Sequence, residues 1–206
     1  MVNLQFRRAD PDDVEEAIPL IYDSGSPFED YAHTVGRSTP IDFLRAAFAA
    51  GSGALSYSSH VVAMLDGHVV GIGAFLDGAQ HKRGGWNRVW LVVRFYGPLK
   101  CWSVLKRLVQ LRSLWSSPRE DDLSIAHLGV REDMRGRGIG TALLTNQIEM
   151  ARSKGFRRCI LDVAVTNPRP QALYERLGFR VVEERKWHVT SSAVRVPDVR
   201  HMEMLL

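Results

Sequence analysis

Two periodicities divide this chain. Apolar residues recur every three or four positions over some stretches and crowd into strand-length runs over others. Helical spacing puts Val14, Ala17, Ile18 and Ile21 on one face, after Asp10-Pro11-Asp12-Asp13, an acidic cap with proline at the helix start. The same spacing holds for Phe43, Leu44, Ala47 and Phe48 within 41–50. It holds again for Leu144, Ile148 and Ala151 within 141–152, where Leu143 widens the stripe. Strands are expected at 3–8, 61–65, 69–75, 123–130, 158–165, 180–187 and near 199–205. Asp66-Gly67 between two apolar runs marks a hairpin. Residues 23–40, rich in Gly, Ser, Pro and aromatics, read as a loop holding at most one helical turn. A short helix is expected to end at Gly178-Phe179, and a loop to span 188–198.

The alternation breaks between the third and fourth strands. Residues 81–119 are longer than a usual connection and hold nine Lys and Arg with no Asp or Glu, so they carry +9 in a chain of net charge +4. They also hold Trp86, Trp90, Trp102 and Trp115, four of the five tryptophans. The pattern predicts an inserted helical pair broken at Gly97-Pro98. Within 99–115, Trp102, Leu105, Leu108, Val109 and Leu111 are expected on one face, with Lys106, Arg107, Gln110 and Ser113 on the other. Three readings compete for this segment. It is a helical cap whose basic face is solvated, a surface for an acidic partner or an anionic, peripherally bound membrane, or a self-association surface giving a homodimer. Nucleic acid is not expected as a partner, because basic and aromatic residues occur without a recognised nucleic-acid motif.

Length and composition narrow the class. A chain of 206 residues with 45% hydrophobic content fits a single domain over 1–206 with a real core. No signal-peptide pattern and no run of about 18 uncharged apolar residues is present, so a cytoplasmic protein is expected. Cys101 and Cys159 form no metal-binding or redox spacing and are expected as reduced, buried thiols; no metal is expected.

Candidate chemistry concentrates at Arg135-Gly136-Arg137-Gly138-Ile139-Gly140-Thr141, between the strand at 123–130 and the helix that follows. Glycines at a helix entrance let the backbone approach a ligand. The first-turn N–H groups and the helix dipole then favour phosphate, and the two arginines add charge. A Walker A loop is excluded because its lysine is missing, and the dinucleotide fingerprint because its third glycine is replaced by Thr141.

What remains, Arg-x-x-Gly-x-Gly at 135–140, resembles the coenzyme A loop of the GNAT superfamily of N-acetyltransferases. The downstream order supports the resemblance. A strand runs to Thr166-Asn167-Pro168, and Leu173-Tyr174-Glu175-Arg176-Leu177-Gly178-Phe179 follows with Asn167 and Tyr174 seven apart. The likeness is close over 123–190. It departs at Pro170, where the family has a small residue.

The resemblance implies a GNAT-like α/β fold: a mixed, mostly antiparallel sheet flanked by helices, here with an inserted helical element between the third and fourth strands. It implies acetyl-CoA as acyl donor and an amine acceptor, small molecule or protein. It places the backbone of Leu128, Gly129 and Val130 along the pantetheine and acetyl group, and Arg135, Gly136, Arg137, Gly138, Ile139, Gly140 and Thr141 at the pyrophosphate. Asn167 would lie near the pantetheine arm, and Tyr174 would protonate the CoA sulfur. The loop at 23–40 would border the acceptor, making Phe28, Glu29, Asp30, Tyr31 and His33 candidates for contact. Many family members carry a base, Glu, at the position of Ala126. His127 is the nearby titratable group with a pKa suited to a base near neutrality, and Asp162 is a weaker candidate. The missing Glu keeps open a non-catalytic CoA-binding sensor or partner-binding module. A basic adaptor for nucleic acid or membrane is a third reading.

Overall fold

The computed structural model describes residues 4–189 and 194–206, without the side chains of 79 and 81–87. Part of the loop expected at 188–198, the first residue of the strand expected at 3–8 and the Trp86 side chain lie outside the described residues. Among the described residues, seven strands make one sheet in the order β1-β2-β3-β4-β5-β7-β6. They are β1 (Gln5–Arg8), β2 (His60–Leu65), β3 (His68–Asp77), β4 (Asp122–Val130), β5 (Arg158–Ala164), β6 (Arg180–Arg185) and β7 (Val199–Leu205). The helices are α1 (Val14–His33), α2 (Pro40–Ala49), α3 (Gly78–Leu111), α4 (Ile139–Ser153) and α5 (Pro168–Arg176). Neighbouring strands are antiparallel except β4 and β5, which run parallel. This is the expected mixed sheet flanked by helices, with α3 inserted between the third and fourth strands.

Strand alternation sends side chains to two cores. Val62 and Ile72 pack with Ile18, Ile21, Phe43 and Phe48 of α1 and α2, whereas Ala63 and Val70 pack with Ile139 of α4. Leu123, Ile125, Leu161 and Val163 join Leu144 and Ile148 of α4 in a further cluster. The hairpin forms as its sequence requires, with Asp66 and Gly67 both in the left-handed region (φ 50° and 83°). β7 is hydrogen-bonded on both sides, by β5 and β6. Cys101 and Cys159 are both free and buried.

The expected loop at 23–40 is a correction. α1 continues through it to His33, interrupted only at Gly25 (φ −145°, ψ 20°). Pro27 falls in the first turn of the segment after this break, where a missing N–H costs nothing. Phe28, Tyr31 and Ala32 then recur at helical spacing and are buried. A glycine and a proline two residues apart suggested a loop, but here they break one helix into two.

α3 does break at Gly97-Pro98, where Gly97 adopts φ 72°. Its inward face is a second correction. Cys101, Val104 and Leu111 are buried, whereas Trp102 is 75% exposed and Val109 72% exposed. The helix is rotated because its neighbour is the second half of α1, not the sheet. Tyr96 stacks on His33, Tyr31 donates its hydroxyl to Gln110 Oε1 at 2.8 Å, and Arg107 donates to the carbonyls of Tyr31 and Thr34 at 3.1 and 2.8 Å. Arg107 thereby satisfies carbonyls left open at the end of α1.

The bearing of α1 on the sheet is set by a close backbone approach. A Cβ on Gly129 would lie 2.5 Å from the Leu20 carbonyl oxygen. The only relief is to move one backbone off the other. Gly129→Ala is therefore expected to cost about 2 kcal/mol or more. Gly140→Ala, whose new Cβ would meet nothing nearer than 3.5 Å, is expected to leave stability within about 0.5 kcal/mol. Urea denaturation of the two variants tests the contrast.

Candidate functional site

β4 and β5 pair only from Asp122–Ile125 against Arg158–Leu161. Beyond Ile125 both strands continue, β4 to Val130 and β5 to Ala164, without pairing with each other. A bulge in β4 drives the parting. Opposite Ile72 and Ala74, β4 spends one residue too many between Gly129 and Ala126, and His127 there adopts φ 51°. Bulges increase local twist and bend the strand that carries them. The result is an unpaired inner edge at 126–130, a row of backbone donors and acceptors that an extended ligand can satisfy.

This edge opens into a cavity of about 1600 Å³. At its far end lies the glycine-rich turn. Gly136 and Gly138 hold φ 77° and 80°, a region open to glycine at little cost, and Gly138 caps α4 with no side-chain hydrogen bond. The first-turn amides of α4 have no carbonyl of their own helix to donate to. Arg135 lies beside them, donating Nε to the Val130 carbonyl at 3.0 Å, with its guanidinium 3.7 Å from Asp23. Ile139 is buried in the core, so only its backbone is offered.

The sequence-derived candidates converge. His127, Leu128, Gly129, Val130, Arg135, Gly136, Gly138, Ile139, Gly140, Thr141, Asn167 and Tyr174 all line the one cavity. Arg137 does not; its side chain is exposed to solvent. Asn167 starts α5 with its side chain uncommitted to capping. Tyr174 is buried edge-on to Phe179, ring centroids 6.0 Å apart, and burial pushes its phenol pKa up, so it holds its proton at neutral pH.

His127 differs from the near-neutral base expected. Burial first, then the neighbouring His60 and Arg88, push its pKa down to about 3. The hydrogen bonds assign its protons. His60 Nδ1 lies 2.7 Å from the Ser56 carbonyl, so it carries the hydrogen, and burial keeps the ring neutral with a pKa pushed down to about 4. His60 Nε2 is then an acceptor, and His127 Nδ1, 3.3 Å away, donates to it. His127 Nε2 is left as a bare lone pair. His60 was not among the candidates. It pairs with Ala74, which pairs with Ala126, so the two imidazoles stack across a small residue. Only strand register reveals that proximity.

Asp162 also lines the cavity, but its carboxylate is taken up by neighbours. It accepts from the Ser116 backbone N–H at 2.9 Å and from its hydroxyl at 2.6 Å, and His201 Nδ1 lies 3.1 Å away. His201 Nε2 faces Glu203 at 3.0 Å. Burial opposes a charge on His201, but Asp162 and Glu203 together outweigh it and raise its pKa. Glu29 and His33 also line the cavity, as does Arg88. Burial pushes Glu29 up to about 7 and His33 down to about 3, with the charge of Arg88 acting on both. Arg88 belonged to the insertion's basic count, and nothing in the sequence singled it out. Among the described residues no cluster of His, Cys, Asp and Glu could hold a metal ion, and no helix is long and apolar enough to cross a membrane.

A model of the acetyltransferase (GNAT) family matches residues 28–179. Among curated proteins, N-acetyltransferase 8B of Homo sapiens is 33% identical over 76 residues, 37% of this chain and 34% of that protein. The putative ribosomal protein bS18-alanine N-acetyltransferase of Bacillus subtilis is 31% identical over 72 residues, 35% of this chain and 48% of that protein. The chain thus covers less than half the length of each. Among solved structures, an N-acetyltransferase from Staphylococcus aureus superposes with a TM-score of 0.68 at 17% identity, covering 97% of this chain and 100% of that one. A putative acetyltransferase from Salmonella typhimurium, solved with its cofactor acetyl-CoA, gives 0.58 at 18% identity, covering 98% and 93%. At these identities the structures establish the fold.

The histidines predict how stability follows pH. His33, His60 and His127 have folded pKa values below the ordinary 6.5. As pH falls through 6.5 the unfolded chain takes up protons that the folded chain refuses, at a cost of about 1.4 kcal/mol per histidine per pH unit. His201, raised, contributes stability that is complete below 6.5 and is lost as pH rises through its folded value. Urea midpoints are therefore expected to fall on the acid side of neutrality. His60→Gln should flatten that acid limb and His201→Gln the alkaline one.

Proposed function

Because the chain belongs to the GNAT acetyltransferase family, we propose that it transfers an acetyl group from acetyl-CoA to a primary amine. The observation that carries this reading is the unpaired β4 edge at 126–130, which leads into the open first turn of α4. An extended arm ending in a pyrophosphate needs both features, in that order. The inner-edge backbone groups of Leu128 to Val130, apart from the Val130 carbonyl that Arg135 occupies, fit the amide-bearing arm. The amides at 139–141, with Gly136 and Gly138 allowing close approach and Arg135 supplying charge, fit the pyrophosphate. Arg137, in solvent beside the turn, adds to the field without lining the cavity. Asn167, at the start of α5 beyond the end of β5, would border the arm from the other side.

When bound, acetyl-CoA supplies the acetyl thioester. The side chains manage protons around it. Tyr174 keeps its hydroxyl hydrogen because burial raises its pKa, which makes it a donor to the departing sulfur and not a base. His127 offers its bare Nε2 to the amine's proton, directly or through water. Burial holds its pKa at about 3, so it is a weak base that carries the proton only transiently and releases it to solvent. His60 fixes the tautomer that leaves Nε2 free.

Calorimetric titration with acetyl-CoA tests the reading. Wild type is expected to bind with micromolar affinity, and Arg135→Glu to bind at least about tenfold more weakly, about 1.4 kcal/mol. Tyr174→Phe is expected to keep its affinity and to lose about a hundredfold in release of free CoA with an accepting amine. Absence of binding to wild type would overturn the assignment. Binding without turnover across an amine panel would leave a coenzyme A sensor on the same fold.

A further inference from the structure

Two buried polar side-chain atoms among the described residues lack any hydrogen-bond partner, and they face each other. They are Glu29 Oε2 and His33 Nε2, 3.7 Å apart and one turn apart on α1. Both residues line the cavity. The His33 side chain is wholly buried, and that of Glu29 is 12% exposed.

With Glu29 ionised, both atoms are acceptors. Tyr96 donates its hydroxyl to the His33 carbonyl at 3.0 Å, so its oxygen is free to accept from His33 Nδ1, 3.2 Å away. That bond puts the ring hydrogen on Nδ1 and leaves Nε2 a lone pair. The stack on Phe43, centroids 3.9 Å apart, fixes the plane of the ring, and the Nδ1 contact with Tyr96 fixes which edge carries Nε2. A separation of 3.7 Å is too long for the two groups to satisfy each other. One group with several N–H donors seated against both would satisfy each of them. An ammonium has three donors, no acceptor, and the charge that complements a carboxylate. The cavity that the pair lines also holds the apolar side chains of Phe28, Leu105, Leu108 and Trp115, and Arg88, whose charge acts on both members of the pair.

We propose that Glu29 and His33 form the docking point for the ammonium group of the acceptor, and that the acceptor is a primary amine carried on an apolar body. Only the word acceptor rests on the acyl-transfer reading, because the docking itself requires no coenzyme. A small amine and the N-terminus of a peptide share this chemistry.

The probes are phenethylamine, the peptide Ala-Phe-amide, and 2-phenylethanol as the uncharged isostere of the first. Each is titrated calorimetrically into the full chain, wild type and Glu29→Gln, with acetyl-CoA titrated into both in parallel. At least one amine is expected to bind wild type at least tenfold more tightly than the alcohol. Glu29→Gln should weaken that amine at least tenfold and leave acetyl-CoA affinity unchanged. The preferred amine tells a small molecule from a chain terminus. In wild type alone, the Nε2 nitrogen resonance of His33 should move on amine titration, which keeps the test decisive if the variant does not fold. Equal binding of amine and alcohol, no binding of either amine, unchanged affinity in Glu29→Gln, or a stationary His33 resonance would each overturn the proposal. Failure of acetyl-CoA alone to bind would remove the acyl-transfer reading and leave the ammonium site standing.

Discussion

Two parallel strands at the centre of this sheet share four residue pairs and then part. Everything chemical in the molecule depends on that parting. A parallel pair that stayed zipped would satisfy its backbone internally and leave no edge for a ligand. The extra residue at His127 prevents this by bending β4 away from β5. The same residue places an imidazole at the fork, so one local irregularity supplies both the open edge and a side chain beside it. Arg158 anchors the paired end, bridging Asp122 of β4 and Glu203 of β7 at 2.7 Å each. The strands are held together where they enter and released where they leave.

The second constraint is the seating of α1. Its backbone meets β4 at Gly129 so closely that no side chain fits between them. This contact fixes the near half of the helix. The far half, beyond Gly25, is held by α3 through Tyr96, Arg107 and Gln110. The insertion is therefore more than a solvated cap. Its Arg88, Leu105 and Leu108 line the cavity together with Glu29 and His33, whereas Leu99 and Trp102 lie in solvent.

Polarity around the cavity is arranged by burial more than by charge pairing. His33, His60 and His127 are kept neutral chiefly by burial, helped at His33 and His127 by the positive charge of Arg88. Neutral imidazoles can direct lone pairs, which protonated ones cannot. By contrast, burial at His201 is outweighed by the two carboxylates it lies between, which raise its pKa, and it ties β7 to β5 and to the segment that follows α3. Histidines of one chain thus serve opposite ends: carboxylates bonded to both ring nitrogens prevail at His201, whereas burial prevails at His33 even beside Glu29.

Much was legible in the sequence because it depends on neighbours along the chain. Period and turn chemistry located the hairpin at Asp66-Gly67, the inward faces of α2 and α4, and the break at Gly97-Pro98. The spacing of Arg135, Gly138 and Gly140 against Asn167 and Tyr174 marked out residues that the fold gathers on one cavity. Tertiary structure decided what depends on neighbours across space. It continued α1 through Gly25 and Pro27, because Phe28 and Tyr31 find burial there that no local preference foretells. It turned α3 so that Trp102 faces out, because the partner of that helix is α1. It set His60 beside His127, and it left Glu29 Oε2 and His33 Nε2 buried without a hydrogen-bond partner. Those pairings come from strand register and helix packing, which join residues far apart in sequence, and a side chain's proton affinity follows from the water that packing excludes.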